Sequence, residues 1–179
     1  MIDWSGQKVV IIGAARQGAA LARYLAQHGA QVILNDRRSE TELQAVRVAL
    51  ADLETQIRWI CGGHPIDLIE GADLLCISGG VPLTLPVIVE ARQRGIPLSN
   101  DSQIFLEAAP CKVIGITGSA GKTTTTTLVG RIAQAALAAG RLSGKVWVGG
   151  NIGLPLIGVL DEMSAQDLAV VELSSFQLE

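Results

Sequence analysis

A glycine-rich segment that begins at Gly115, with the sequence G-I-T-G-S-A-G-K-T-T, most constrains how this chain can fold. A short apolar run, residues 112–114, precedes it, and a pattern typical of a helix follows it through Ala139. This context predicts a buried strand, a tight turn and a helix. Because glycines let backbone N–H groups point inward and a helix N-terminus attracts anions, the turn is predicted to bind phosphate.

Two residues of this loop have distinct predicted roles. Lys122 would reach the β- and γ-phosphates of a nucleotide, and the Thr123 hydroxyl would ligate Mg²⁺. The loop departs from the pattern G-x-x-x-x-G-K-[ST], because Ile116 stands where the first glycine belongs. An ordinary strand-turn-helix junction is the alternative, but the strand context and the G-K-T-T run favour phosphate binding. The predicted ATP-binding residues are Gly118, Ser119, Ala120, Gly121, Lys122, Thr123 and Thr124.

The composition favours an α/β protein with buried parallel strands, since 49% of the residues are hydrophobic, 17% are charged and 3% are aromatic. A net charge of −3 gives no electrostatic reason to expect a nucleic-acid partner. Cys61, Cys76 and Cys111 lack C-x-x-C spacing, so neither a disulfide framework nor a zinc site is indicated. We see no membrane-spanning run and no signal peptide, and we therefore expect a cytoplasmic protein with no membrane partner.

The first part of the chain reads as a Rossmann-like βαβ unit. Residues 8–13 predict a strand, 19–28 a helix and 31–36 a second, parallel strand that ends in Asp36. The intervening turn, G-A-A-R-Q-G, keeps two of the three glycines of the dinucleotide fingerprint, so a nicotinamide or flavin site is weakly supported. A turn without any ligand stays open as an alternative. Arg37 and Arg38, beside Asp36, favour a phosphorylated ligand, although paired arginines on a loop are more often merely solvated.

Further elements extend this sheet to a boundary at Pro110. We predict helices over residues 40–53, 85–94 and 102–109, and strands over 57–60, 73–78 and 96–99. Parallel sheets bind ligands beyond the carboxyl ends of their strands, so residues 13–18, 36–37 and 78–82 should converge on one rim. His64 is interpreted as a loop residue, not as a metal ligand or a base. The predicted domains are residues 1–110 and 111–179.

The second part continues the α/β pattern after the glycine-rich loop. A helix is predicted over residues 123–139, a strand over 145–148, a loop over 149–155 and a helical turn over 156–160. A last strand, 167–173, carries Glu172 near its end. A carboxylate at this place after a phosphate loop is predicted to be a second Mg²⁺ ligand, although a lone glutamate at a strand end is ordinarily solvent-facing.

Three segments, residues 117–125, 149–155 and 172–179, together resemble the Mur ligase family. Within it, Phe176 favours the branch that joins D-glutamate to UDP-N-acetylmuramoyl-L-alanine, since related branches tend to carry His after the Ser-Ser pair. The resemblance implies ATP-driven amide formation in peptidoglycan synthesis, through an acyl phosphate and with Mg²⁺. It also implies a uridine-nucleotide-binding first domain and an incomplete P-loop-type ATPase domain.

The resemblance further implies a role for individual residues. Lys122 and Glu172 would be catalytic, and Thr123 and Glu172 would hold Mg²⁺. Ala120 departs from the asparagine common in this loop, which removes a side-chain contact and leaves the backbone cradle. The implied substrate-binding residues are Gly13, Ala14, Ala15, Arg16, Asp36, Arg37, Gly80, Asn151, Ser174 and Gln177.

Members of this family continue far beyond the last matched motif, with residues that complete the central sheet and bind the amino acid. We therefore expect this chain to bind ligand without catalysing ligation, and to self-associate through an unpaired sheet edge. The alternatives are another Mur-type ligase such as a folylpolyglutamate synthase, a non-enzymatic nucleotide-sugar-binding module, an unrelated P-loop ATPase or kinase, and a nicotinamide-dependent oxidoreductase. The last two leave Asn151 and the G-K-T-T run, respectively, without an explanation.

Overall fold

The computed structural model describes residues 2–174 and divides the chain into two compact units, with the division between Asp101 and Ser102. Both units are built on parallel sheets, so the predicted α/β class is confirmed. The domain boundary after residue 110 stays a prediction; the division observed lies at the start of the preceding helix. Within residues 2–174, none of the helices combines the length and the apolar character needed to cross a membrane.

The first unit contains a five-stranded parallel sheet in the order β3-β2-β1-β4-β5, which is a doubly wound, Rossmann-like arrangement. Short β5 lies at one edge. The elements are β1 (Lys8–Ile12), α1 (Arg16–Gln27), β2 (Gln31–Asp36), α2 (Gln44–Ala49), β3 (Ile57–Cys61), β4 (Leu74–Ile77), α3 (Pro86–Gln93) and β5 (Leu98–Ser99), and helix α4 (Asp101–Ala108) spans the division.

The central strand of this sheet is apolar without alternation because both of its faces are covered. Four consecutive residues of β1, Val9 to Ile12, have no solvent exposure. Val10 pairs with Ile33 of β2 on one side and with Leu75 of β4 on the other. The core therefore fixes the positions at which β1, β2 and β4 end, and those ends carry the predicted substrate-binding residues.

The second unit contains a three-stranded parallel sheet in the order β6-β8-β7. Its elements are β6 (Lys112–Ile116), α5 (Lys122–Ala138), β7 (Val146–Gly150) and β8 (Leu168–Glu172). The middle strand, β8, is buried at residues 169–171, and α5 packs against β7 and β8. A side chain at Gly130 would lie 2.7 Å from Val148, so this glycine lets the helix approach the sheet closely.

Two predicted elements differ from the structure. The helix over residues 40–53 is wrong in extent, because α2 covers only six residues and a 3₁₀ turn, Ala51–Leu53, follows it. Leu43, Leu50 and Leu53 are nevertheless buried, as the apolar pattern requires. The loop predicted to begin at residue 149 is also displaced, since β7 continues to Gly150.

Candidate functional site

The carboxyl ends of β1, β2 and β4 form one rim in the first unit. The Gly13 N–H donates to the carbonyl of Asn35 at 2.8 Å, and the Ser78 N–H donates to the carbonyl of Ile12 at 2.9 Å. The Ser78 hydroxyl also donates to the Gly13 carbonyl at 2.9 Å. These bonds confirm the predicted convergence of the three segments. The strand order reverses between β1 and β4, which is where a doubly wound sheet opens a ligand crevice.

The turn between β1 and α1 can exist only with glycine at its two ends. Gly13 has a φ of +100°, which favours glycine. A side chain at Gly18 would lie 1.8 Å from the Gly13 carbonyl oxygen and 2.7 Å from the Ser78 hydroxyl. The glycines retained from the dinucleotide fingerprint therefore serve the tight turn and the close approach of helix to strand.

The Asp36 carboxylate anchors this turn. Its Oδ2 accepts the Ala14 N–H and the Arg38 Nη2, both at 2.8 Å, and its Oδ1 accepts the backbone N–H and the Nε of Arg38, both at 3.0 Å. The side chain is buried, and these bonds hold the pKa of the Asp36 carboxyl well below its usual range against the opposing effect of burial. All four acceptor positions are thus occupied within the chain, and a direct contact of Asp36 with substrate stays a prediction.

The other predicted residues of the rim are placed around this anchor. Arg37 is exposed, whereas Arg38, which was not among the predicted site residues, pairs with Asp36. Ala15 and Arg16 begin the helix side of the turn and are exposed, and Gly80 is exposed beyond the end of β4. Sequence reasoning missed Gln17, whose Nε2 is buried and has no hydrogen-bond partner among the residues that the structure describes. Its position inside the G-A-A-R-Q-G turn was the available signal.

A histidine lies at the adjoining end of β3. The His64 Nδ1 lies 2.5 Å from the side-chain oxygen of Asn35, and the Asn35 Nδ2 donates to the carbonyls of Ile60 at 2.8 Å and Gly63 at 2.7 Å. The pKa of His64 is lowered, first by burial and then by Arg37, while Asp36 opposes the change. His64 is therefore a neutral, half-buried side chain beside the predicted substrate residues, a placement that its loop position in the sequence did not indicate.

The glycine-rich loop of the second unit joins β6 to α5. Gly118 and Gly121 have φ values of +142° and +74°, which let the backbone turn between strand and helix. Gly121 is the N-cap residue, no side chain caps the helix, and its first turn contains no acidic residue. The first N–H groups of α5 are therefore available to an anion, as in a phosphate-binding loop. Ser119 and Ala120 of the loop are exposed.

Four side chains at the start of α5 have different surroundings. The Lys122 Nζ donates to the Gly118 carbonyl at 2.8 Å, so the lysine folds back over the loop that it is predicted to serve. Thr123 and Thr124 are exposed. Thr126 is fully buried, and its hydroxyl has no hydrogen-bond partner within residues 2–174.

Glu172 and Asn151 lie at strand ends that adjoin the loop. Glu172 pairs in register with Ile116, the last residue of β6, and with Gly150 of β7. The Asn151 N–H donates to the Glu172 carbonyl at 2.9 Å. The structure thus brings Asn151, Glu172 and the start of the loop to one edge of the sheet. Ser174 lies two residues after Glu172 and is half-buried, and the predicted Gln177 and Phe176 lie outside the described residues.

The Glu172 side chain suits a cation ligand. It is 2% exposed, and its Oε2 finds no hydrogen-bond donor in the described part of the chain. A buried carboxylate oxygen without a partner is costly, and a bound cation would compensate it. Residues 2–174 contain no group of three or more His, Cys, Asp or Glu side chains that could hold a metal. Mg²⁺ bound together with substrate phosphates needs only one or two protein ligands, so the residues present fit that mode.

A cavity of about 1050 Å³ lies at the opposite end of the first sheet. It is lined by the beginnings of β1, β2 and β3, including Lys8, Gln31 and Ile57. Ligands of open parallel sheets bind beyond the carboxyl ends of the strands, and none of the predicted site residues lines this cavity. We therefore place the candidate site of the first unit at the rim.

A buried carboxylate at the other end of the second sheet supports the fold. The Asp167 oxygens accept the Lys145 N–H at 2.9 Å, the Trp147 Nε1 at 2.8 Å and both the N–H and the hydroxyl of Ser164, at 3.1 and 2.9 Å. These bonds lower the pKa of Asp167 to about 2. Asp167 therefore ties the beginnings of β7 and β8 together.

Comparison with known families matches two consecutive stretches of the chain. Residues 7–100 match the model of the Mur ligase MurD-like N-terminal domain, and residues 116–179 match that of the Mur ligase middle domain. The first stretch contains the rim, and the second contains the glycine-rich loop, Asn151 and Glu172.

Curated relatives match over the length of the chain. A UDP-N-acetylmuramoylalanine–D-glutamate ligase of Syntrophotalea carbinolica is 42% identical over 100% of this chain and 38% of its own length. The enzyme of the same name from Desulfosudis oleivorans is 39% identical over 99% of this chain and 37% of its own length. The chain therefore spans less than two fifths of the curated relatives that it matches.

Solved structures show the same fold at lower identity. The UDP-N-acetylmuramate:L-alanyl-gamma-D-glutamyl-meso-diaminopimelate ligase of Neisseria meningitides superposes with a TM-score of 0.58 at 20% identity, over 96% of this chain and 55% of that one. A murein peptide ligase of Psychrobacter arcticus gives a TM-score of 0.55 at 18% identity, over 96% of this chain and 39% of that one. These likenesses concern the fold.

Proposed function

Because this chain belongs to the Mur ligase family, we propose that it supplies the nucleotide-binding part of an ATP-dependent ligase that joins D-glutamate to UDP-N-acetylmuramoyl-L-alanine. The names of the curated relatives support this choice of substrates. One arrangement supports the ATP-dependent part of the proposal. The N-terminus of α5 is uncapped at the Gly-Lys-Thr loop, and the neighbouring strand end carries the buried Glu172 Oε2, which has no hydrogen-bond partner within residues 2–174. The proposed ligase would act in the cytoplasm, in peptidoglycan synthesis.

The second unit would bind the ATP phosphates. The N–H groups from Gly118 to Thr124 would surround the β- and γ-phosphates, and Lys122 would leave the Gly118 carbonyl for a phosphate oxygen. Thr123 and Glu172 would hold Mg²⁺. When bound, Mg²⁺ neutralises charge that develops on the transferring phosphoryl group.

The reaction divides into two substitutions. An oxygen of the alanyl carboxylate bonds to the γ-phosphorus as the bond to the β-phosphate oxygen breaks, which gives an acyl phosphate and ADP. The amine of D-glutamate then attacks the acyl carbon, loses a proton and expels inorganic phosphate. This chain's residues contribute position and electrostatic stabilisation in the first step. Asn151 and Ser174 would orient the muramoyl substrate beside the loop.

The first unit would hold the uridine diphosphate moiety. The turn from Gly13 to Arg16 leads into the N-terminus of α1, which no side chain caps, and exposed Arg37 and Gly80 flank it. Because the N–H groups of Gly13 and Ala14 already donate to Asn35 and Asp36, the diphosphate would meet the turn beyond Ala14. Asp36 would act by fixing the turn through Ala14. We propose that these 179 residues bind both nucleotides without forming the amide, since the curated relatives extend well beyond the matched region. A nucleotide-sugar-binding role without ATP is the second candidate, which the compactness of the first unit favours.

Calorimetric titration tests the proposal. We expect UDP-N-acetylmuramoyl-L-alanine to bind the wild-type chain, and Mg²⁺ with ATP to bind it separately. Lys122→Ala should weaken ATP binding at least tenfold, which corresponds to about 1.4 kcal/mol. Lys112→Ala is the matched control, because this exposed lysine begins β6, at the other end of the strand that leads into the loop.

Each outcome bears on a different part of the proposal. ATP binding that survives in Lys122→Ala, or that is absent from the wild-type chain, would contradict the phosphate-loop assignment. Binding of the muramoyl nucleotide alone would favour the nucleotide-sugar-binding role. Amide product formed by this chain with ATP, UDP-N-acetylmuramoyl-L-alanine and D-glutamate would overturn the inactivity that we propose.

A further inference from the structure

We propose that His64 recognises the uracil base, with its Nε2 accepting a hydrogen bond from the N3–H of uracil; this inference rests on the proposed binding of a uridine nucleotide at the rim of the first unit. His64 was assigned no role by the sequence. The inference follows from a buried amide that fixes the form of the imidazole ring, from the position of the ring, and from the hydrogen-bonding pattern of the base.

Asn35 determines which ring nitrogen carries the proton. This side chain is fully buried, and its Nδ2 lies within hydrogen-bond distance of two carbonyl oxygens, of Ile60 and Gly63, which can only accept. The other amide atom must therefore be the oxygen, which is an acceptor. Since this oxygen lies 2.5 Å from the His64 Nδ1, the proton of the neutral ring is on Nδ1.

The other ring nitrogen is then an acceptor with access to solvent. None of the residues from 2 to 174 is hydrogen-bonded to the His64 Nε2, and this atom is not among the buried side-chain atoms that lack a partner. The ring as a whole is half-buried. Burial and the neighbouring Arg37 favour the uncharged ring, so Nε2 keeps its lone pair near neutral pH.

The ring lies where the base of a nucleotide would arrive. In a Rossmann-like unit, the turn after the first strand binds phosphate, and the end of the second strand lies beside the ribose. β3 is the next strand outward, about 5 Å beyond β2. The Gly62 N–H donates to the carbonyls of Asp36 at 3.1 Å and Arg38 at 2.9 Å, which fixes the His64 loop against the ribose end of the rim.

The chemistry of uracil matches a single acceptor at this place. In a nucleotide, the uracil edge presents two carbonyl oxygens that flank N3–H, which is its only N–H donor. Cytosine has an unprotonated N3, so its lone pair would face that of Nε2. An imidazole held in the Nδ1–H form would therefore favour uracil over cytosine at the same position.

The test measures binding of UDP and of 3-methyl-UDP, in which a methyl group replaces the N3–H, to the 179-residue chain by calorimetry. We expect the wild-type chain to bind UDP about fivefold to tenfold more tightly than 3-methyl-UDP, the effect of one hydrogen bond. His64→Gln keeps an acceptor near the Nε2 position and should retain most of this ratio. His64→Asn keeps a donor near the Nδ1 position for Asn35 but lacks the distal acceptor, and should reduce the ratio to about one.

This pair of variants separates recognition from a structural role. If His64 only braced Asn35, His64→Asn would preserve UDP affinity and His64→Gln would lose it for both ligands. His28→Asn is the control, because His28 caps α1 and its Nδ1 contacts the Tyr24 carbonyl. Nitrogen NMR of the histidines should show an unprotonated Nε2 in His64 that shifts when UDP binds.

The failures are distinguishable. A wild-type chain that binds no UDP would contradict the proposed function, and this inference with it. Three results would overturn only the role of His64. They are equal binding of UDP and 3-methyl-UDP by the wild-type chain, an unchanged ratio of the two affinities in His64→Asn, and a proton on the His64 Nε2.

Discussion

Asp36→Asn should destabilise the first unit while preserving the shape of the side chain. The substitution replaces one carboxylate oxygen with an amide nitrogen, which can only donate. The retained oxygen should stay with the Ala14 N–H, because Ala14 is fully buried and its N–H cannot turn to water. The amide nitrogen would then face the backbone N–H and the Nε of Arg38, so that two bonds at 3.0 Å are lost.

The magnitude follows from the exposure of the two partners. Asp36 is 8% exposed at its side chain, whereas Arg38 is 37% exposed and can recover hydration. Breaking a fully buried pair costs about 3–5 kcal/mol, and breaking a surface pair costs about 0–1 kcal/mol. We therefore expect a loss of about 2 kcal/mol of unfolding free energy. A urea series followed by hydrogen exchange of peptides from β1 and β2 measures it for the first unit alone.

Asp52→Asn is the matched control. Asp52 also binds an arginine through two bonds, from Arg23 Nη1 at 2.6 Å and Nη2 at 2.9 Å, but its side chain is 58% exposed. We expect this variant to unfold almost as the wild-type chain does. If Asp36→Asn were no more destabilising than Asp52→Asn, the carboxylate would not be the anchor of the turn.

The effect of Asp36→Asn should also depend on pH in one direction. The folded pKa of Asp36 is depressed, so its contribution to stability is present above the unfolded value of about 3.9 and is lost as the pH falls through the lower folded value. The difference between the two chains should be constant from about pH 5 to pH 8 and shrink below about pH 4. A difference that persisted unchanged in acid would refute the charged anchor.

Three further perturbations have expected outcomes that the structure determines. Gly18→Ala should destabilise the first unit by about 3 kcal/mol or more, because the new methyl group meets backbone, whereas Gly63→Ala, which meets nothing within 4 Å, should be tolerated; urea unfolding compares them. Glu172→Gln should leave the free chain as stable or more stable, since a buried unpartnered charge is removed, but should abolish the thermal protection that Mg²⁺ with ATP gives; a stability loss without ligand would contradict this. Asp167→Asn should cost about 2 kcal/mol through lost hydrogen bonds, and circular dichroism during heating would detect it.

The sequence predicted the strands better than the limits of the connecting elements. β2 was predicted with its observed bounds, because an apolar run ending in an acidic residue leaves little ambiguity. The apolar residues with helical spacing in the segment 40–53 are Leu43, Val46, Leu50 and Leu53; the three leucines are buried and Val46 is half-buried. Spacings of three and seven suit successive turns as well as one long helix, so the pattern could not show where α2 ends. Gly149 and Gly150 read as the start of a loop, yet they continue β7 by pairing with Val171 and Glu172 of β8. Glycine is needed there because side chains would meet the Leu154 and Glu172 carbonyls.

In the candidate site, too, some residues could be predicted from their type and position, whereas the contacts between them could not. The glycines of the two loops and Glu172 could be chosen from the sequence, since each lies at or after the end of a strand and has a recognised chemical use. The partner of Asp36 could not be chosen, because Arg37 and Arg38 are equivalent by residue type, and the structure pairs Arg38 with Asp36. The proton of the His64 ring is placed on Nδ1 by Asn35, which precedes His64 by 29 residues and lies on β2. Such pairings depend on the register of β2 and β3, which residue type does not reveal.

The order β6-β8-β7 has a consequence for synthesis on the ribosome. Among residues 2–174, β6 and β7 do not pair with each other, and each pairs with β8, which follows both in sequence. The phosphate loop and α5 therefore leave the ribosome well before the strand that joins the sheet, and ordering them early would cost entropy without compensating contacts. The first unit pairs β1 with β2 as soon as both emerge. The nascent chain should thus carry a folded first unit while its second unit still resembles an open segment, which is the stage most exposed to chaperones and proteases.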